Sequence, residues 1–216
     1  MSPQLNPSTI ERMTHKAGEA TALETIRFAV ETMGDRLCLL ASMQDALLID
    51  LATRVQPDID VVFIDTGYHF PETLDTLRSI ERRYRIEIDI VGPIEPTRSN
   101  IEPGACCASK VELLDQALAD RNGWISGISR VQTVEREDTS LVEVDRRGKV
   151  KFNPLAQWNQ HDRDAYISRH ELIEHPLRTA GYSSIGCAPC TSAPNNLDPR
   201  SGRWAGTEQT ECGLHL

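Results

Sequence analysis

Three short apolar runs, "RLCLLAS", "DIDVVFIDTG" and "RIEIDIVGP", alternate with two segments of helical length. No other feature of the chain restricts its fold as strongly. The runs are strand-sized and rich in Val, Ile and Leu. Between them, "MQDALLIDLATRV" is apolar on most sides and reads as a buried helix. "PETLDTLRSIERRY" has Pro71 suited to a first helical turn and Glu72 favourable beside it. Strands joined through helices run parallel, so the expected fold class is α/β, Rossmann-like: a parallel sheet with helices on both faces. Ligands of such sheets bind beyond the carboxyl ends of the strands. Two strand ends therefore stand out, "ASMQD" with Ser42 and Asp45, and "IDTGYHF" with Asp65, Thr66 and Gly67. Taken alone, the first lacks the glycines of a Walker loop, and the second reads equally well as a simple turn.

The remaining elements follow from the same periodicities. "TALETIRFAVETMGD" sets Leu23, Ile26, Val30 and Met33 on one helical face, with Gly34 as a stop. "CCASKVELLDQALADRNG" reads as a helix, "WISGISR" as a strand and loop, and "LVEVDRRGKVKFNP" as a hairpin around Arg147-Gly148. "QHDRDAYISRHELI" reads as a further helix. Residues 1–20 are polar and irregular, 21–185 form the expected α/β binding domain, and 186–216 a cysteine loop and flexible tail packed on it. That tail is rich in Gly, Pro, Ser and Asn and needs something to hold it.

The 216 residues suffice for a core without disulfide staples. Acidic residues outnumber basic ones, 32 to 23, which argues against a general nucleic-acid-binding surface but leaves room for a local anion pocket. No apolar run reaches membrane-spanning length, and the first twenty residues lack the apolar centre of a secretory signal. The expectation is a soluble cytoplasmic protein, whose cysteines serve as ligands, redox groups or core rather than disulfides. A homo-oligomer is left open.

Four of the six cysteines form two close pairs, Cys106-Cys107 and Cys187-x-x-Cys190. Such a set suits an iron–sulfur cluster, a structural zinc, or buried or redox thiols. Adjacent cysteines strain a tetrahedral chelate at one zinc, whereas a cluster spreads its ligands over several irons. Cys38 lies in an apolar strand and reads as core. Cys212 stands apart in a Gly-flanked tail, as an incidental thiol or a nucleophile. Lys110, Arg130, Arg136, Arg200 and Arg203 lie beside cysteines or in loops. Singly they read as solvated charges; together they suit a phosphate or sulfate pocket.

Taken in order, "SMQDALLIDLA", "FIDTGYHFPET", "CC…KVELL", "W-x-x-G…R", "KFNPLAQW", "GYSSIGCAPCT", "RSGRW" and "ECGLH" resemble the assimilatory adenylyl-sulfate reductases. These are the iron–sulfur type of the family that also includes the phosphoadenylyl-sulfate reductases. The resemblance runs from about residue 25 to the end. It implies an adenine-nucleotide alpha-hydrolase-like fold and a [4Fe-4S] cluster on Cys106, Cys107, Cys187 and Cys190, with structural and electrostatic roles. It also implies Cys212 as nucleophile and thioredoxin or a similar dithiol as reductant. Adenosine 5′-phosphosulfate would lie near Ser42–Asp45 and Asp65–Gly67, with Lys110, Arg200, Arg203 and His215 near its phosphosulfate. The alternative substrate is the 3′-phosphorylated nucleotide, alone or as one of two. A degenerate iron–sulfur regulatory paralogue is a further alternative. An ATP-using adenylating enzyme would need a Gly-rich pyrophosphate loop that "SMQD" does not supply.

Three features depart from the family pattern. Only "ASK" follows the cysteine pair, where the family carries Arg-Lys after a short spacer. Ser129-Arg130 stands where two arginines are usual, and the loop from Val91 to Cys106 is short. If residue 129 faces the anion, Ser129→Arg is expected to lower KM.

Overall fold

The computed structural model describes residues 18–92, 106–194, 200–205, 207 and 211–214, the side chains of Cys106 and Ala108 aside. Six strands, β1 (Leu37–Ala41), β2 (Val61–Ile64), β3 (Ile88–Val91), β4 (Gly123–Ile125), β5 (Val142–Val144) and β6 (Val150–Phe152), form one mixed sheet in the order β3-β2-β1-β4-β6-β5. β1 pairs with β4 and β4 with β6 in parallel, whereas β5 lies antiparallel to β6. The helices are α1 (Gly18–Met33), α2 (Leu47–Thr53), α3 (Pro71–Tyr84), α4 (Cys106–Ala117) and α5 (Gln160–Arg169). None of the described helices is long and apolar enough to cross a membrane.

The expected strands and helices are present, with two corrections. The antiparallel β5–β6 hairpin makes the sheet mixed. Its turn is closed by Asp145, whose Oδ1 accepts from the Arg147 and Lys149 N–H groups at 2.9 Å, with Gly148 at φ 73°. Second, the helix after β1 begins only at Leu47. Met43 is buried in the left-handed region at φ 59°, and residues 44–46 form hydrogen bonds and a bridge with 173–175 instead of a helical turn.

Two compact units divide the described chain: one from 18–41, 47–61 and 118–172, the other from 42–46, 62–92 and 106–117 together with the described residues beyond 172. In the first unit α1 buries Thr21, Ala22, Thr25, Ile26, Ala29 and Met33, while Leu23 and Val30 are only half-buried. Thr25 can join the core face because a helical hydroxyl can satisfy itself locally: it donates to the Thr21 carbonyl at 2.8 Å. Gly123 lets Met33 approach β4, since a Cβ there would lie 2.9 Å from Met33 Cγ. Asn159 and Asp162 cap α5 reciprocally. Tyr166 of α5 donates to Asp50 of α2 and accepts from Arg54, each at 2.7 Å. Cys38 is fully buried, as expected of a core thiol.

Candidate functional site

The second unit carries the described cysteines of both pairs and the two strand-end loops. Beyond β2, the Asp65 carboxylate accepts from the Gly67 N–H at 2.7 Å, a local turn that Gly67 completes at φ 74°. Gly92 follows β3 so closely that a Cβ would lie 2.1 Å from the Asp65 carbonyl oxygen. Thr66 is buried, with its hydroxyl 3.1 Å from Cys187 Sγ. The Tyr68 carbonyl accepts from the Ala188 N–H at 2.7 Å, and His69 forms an antiparallel bridge with Cys187. The turn after β2 is thus joined directly to the Cys187–Cys190 loop.

Cys187, Cys190 and Trp204 form a buried cluster, with Tyr68, Cys107 and Cys212 packed against it. Cys187 N-caps a 3₁₀ turn over Ala188–Cys190 with Pro189 in its first positions, which brings the two thiols of the Cys-x-x-Cys pair round to the cluster. The described parts of the tail are fastened to this loop. Ser192 N–H donates to the Gly202 carbonyl at 2.8 Å, and Trp204 N–H donates to the Cys190 carbonyl at 3.0 Å. Gly202 is needed there, because a Cβ would lie 2.0 Å from the Ser192 carbonyl.

Arg203 lies over Trp204 with its guanidinium carbon 4.5 Å from the ring centroid, and its Nε donates to the Cys190 carbonyl at 3.3 Å. Its head crosses the backbone at Gly186, where a Cβ would lie 2.4 Å from Nη2. Arg200 lies 5.7 Å from the same ring and 3.9 Å from the buried Glu211 carboxylate. Nη1 of each arginine donates to Ser184 Oγ at 3.4 Å. Lys110 is half-buried on α4. Burial, and then the Lys110 charge, push the His69 pKa below its ordinary value, against smaller opposing effects of Cys187, Ile64 and Asp65. Arg200 and Arg203 thus gather at Trp204 and Ser184, beside the Cys187–Cys190 loop.

Ser42 is exposed, and Asp45 pairs its backbone with Glu174. Arg130 and Arg136 belong to the other unit. There Arg130 Nε donates to the Thr139 carbonyl at 2.8 Å, and Arg136, largely buried, donates to Gln132 Oε1 at 2.5 Å. Ser129 is fully buried, with its N–H bound to Gln132 Oε1, so residue 129 does not present itself to solvent for an added charge. His215 and the Cys106 side chain lie outside the described atoms.

Among the described residues, no three His, Cys, Asp or Glu side chains close on a point that would hold a metal ion. None of the described cysteine side chains forms a disulfide. Sequence reasoning gave Gln44, Tyr68 and Trp204 no role, although all three lie within quoted motifs.

The sequence profile of the phosphoadenosine phosphosulfate reductase domain matches residues 36–193. The chain belongs to this family. An adenosine 5′-phosphosulfate reductase of Streptomyces coelicolor is 43% identical over 95% of this chain and 92% of its own. A phosphoadenylyl-sulfate reductase structure from Candida auris, a phosphate complex, superposes with TM-score 0.66 at 23% identity. The match covers 87% of this chain and 98% of that one. An FMN adenylyltransferase of Candida glabrata superposes at 0.61 with 13% identity, covering 86% and 70%. The last two likenesses establish the fold, which is that of the phosphosulfate reductases and of the adenine-nucleotide alpha-hydrolase-like proteins. Membership makes the chain an oxidoreductase of the sulfonucleotide type.

Proposed function

We propose that the protein reduces adenosine 5′-phosphosulfate to sulfite and AMP, with a thioredoxin-type dithiol as reductant. The observation that carries this reading is the packing of Cys212 against the same buried cluster as Cys107, Cys187 and Cys190, flanked by Arg200 and Arg203. The cytoplasm suits described cysteines that form no disulfide.

In this reading the nucleotide lies at Ser42–Asp45 and Asp65–Gly67, and Lys110, Arg200, Arg203 and His215 face its phosphosulfate. The Cys212 thiolate attacks the sulfonyl sulfur. The sulfur–oxygen bond to phosphate breaks, and AMP leaves with the electron pair, its charge held by the cations. The product is S-sulfocysteine on Cys212. A thiolate of the reductant then attacks Cys212 Sγ, and sulfite departs with the electron pair of the broken S–S bond. The second thiol of the reductant resolves the mixed disulfide, so the dithiol is oxidised and Cys212 returns as a thiol.

Cys106, Cys107, Cys187 and Cys190 would hold a [4Fe-4S] cluster. The donor set fits: soft thiols in two pairs, with the Trp204 indole N–H buried beside them and without a hydrogen-bond acceptor. When bound, such a cluster supplies rigidity to the loop and a local field at the sulfonyl group.

The test is intact-protein mass spectrometry of anaerobically purified enzyme given adenosine 5′-phosphosulfate and no reductant. One added sulfonate on the peptide carrying Cys212 is the expected result. An adduct formed only with the 3′-phosphorylated nucleotide would reassign the substrate, and no adduct with either would refute the reading.

A further inference from the structure

The loop after β1 is tied to a segment far along the chain. Ala46 N–H donates to the Ile173 carbonyl at 2.9 Å, His175 N–H donates to the Gln44 carbonyl at 3.0 Å, and Asp45 bridges Glu174. The Gln44 side chain then reaches further along that segment. Its Oε1 accepts from the Ile185 N–H at 3.1 Å, and its Nε2 donates to the Ser183 carbonyl at 3.4 Å. This amide orientation satisfies both partners; the flipped one satisfies neither. Ser184, between those two contacts, carries the hydroxyl that receives Arg200 and Arg203. Ile185 is buried, and Cys187 lies two residues beyond it.

From this juxtaposition we infer that Gln44 is a positioning residue. Its carboxamide holds the loop 42–45 in register with the segment 183–190, so that a nucleotide seated at one end is aligned with the cations and thiols at the other. The inference rests on the nucleotide reading above. The backbone bonds at 173–175 anchor the start of the segment, but seven residues lie between His175 and Ser183, among them a 3₁₀ turn over Pro176–Arg178. Misplacing reacting groups by about 1 Å can cost about 100-fold in rate, so a contact at the far end matters.

The experiment is hydrogen–deuterium exchange on the full chain, purified anaerobically, with adenosine as the probe. Adenosine has no phosphate to engage the arginines, so protection of 183–190 reports transmission from the loop. In the wild type, adenosine is expected to slow exchange in 42–45, 65–67 and 183–190. In Gln44→Ala, protection of 42–45 and 65–67 remains and that of 183–190 is lost. Turnover is then expected to fall about 10- to 100-fold, through kcat rather than KM. Gln44→Glu keeps the acceptor for Ile185 N–H but faces a carboxylate to the Ser183 carbonyl, and should lie between the two. Protection of 183–190 that survives in Gln44→Ala overturns the inference. So does wild-type protection confined to 42–45 and 65–67, with the nucleotide reading left standing. No protection of the two loops in the wild type sinks the nucleotide reading and the inference with it. If Gln44→Ala does not fold, the wild-type result and Gln44→Glu decide between the same outcomes.

Discussion

Two glycines of the second unit separate what a rigid neighbour and a flexible one demand. A methyl group at Gly92 meets the backbone carbonyl of Asp65 at 2.1 Å, and a backbone cannot step aside cheaply. Gly92→Ala is expected to lose about 1–3 kcal/mol of stability, read from urea denaturation. At Gly186 the obstacle is the far end of Arg203, 2.4 Å away, which can swing clear. Gly186→Ala should leave the denaturation midpoint nearly unchanged but lower turnover, because Arg203 is displaced. Neither glycine is distinguishable from an ordinary turn glycine in the sequence. Cys212 and the paired cysteines, in contrast, were legible as candidate residues, since two close thiol pairs and a thiol in a Gly-flanked tail stand out in the sequence. Their partners Thr66, Tyr68 and Trp204 come from distant stretches, and no local pattern points to them.

Among the elements, the turn over Pro176–Arg178 depends on a neutral histidine. His175 is fully buried; its Nδ1 accepts from the Leu177 N–H at 3.2 Å, so the proton sits on Nε2, 3.0 Å from Thr73 Oγ1 of α3. Burial is the main cause that lowers its pKa from 6.5. Glu72 opposes this and His69 adds to it. The unfolded chain therefore binds the proton more readily than the folded one. The His175 contribution to stability is fully present above pH 6.5 and is lost as pH falls through that value towards the lower folded pKa. Denaturation midpoints measured from pH 7.5 to 5 should fall for the wild type, and fall less for His175→Gln. Helix and strand identities were readable because their apolar periods were strong. The core face of α1 was misread because Thr21 and Thr25 take buried positions there beside Ile26 and Met33, Thr25 with its hydroxyl satisfied on the Thr21 carbonyl. The late start of α2 was hidden as well, since long-range hydrogen bonds at residues 44–46 took the place of helical ones.

At the scale of the molecule, the proposed function divides the thiols into two groups: paired cysteines in a loop and a helix start, and Cys212 on the tail. Cys212→Ser should therefore leave melting temperature and any iron–sulfur absorbance unchanged while abolishing sulfite formation and the sulfonate adduct. Loss of absorbance in that variant would tie Cys212 to the cluster instead. The sequence by itself determined the α/β class, the order of elements, and which thiols and cations are candidates for chemistry. Those properties follow from local periodicity and residue type. Tertiary structure alone decided which cations stand beside the thiols and which are engaged in the other unit. It also decided that Ser129 is buried, and that Gln44 reaches Ser183 and Ile185. Each of these depends on contacts between residues far apart in the chain, and a single sequence records no distance between them.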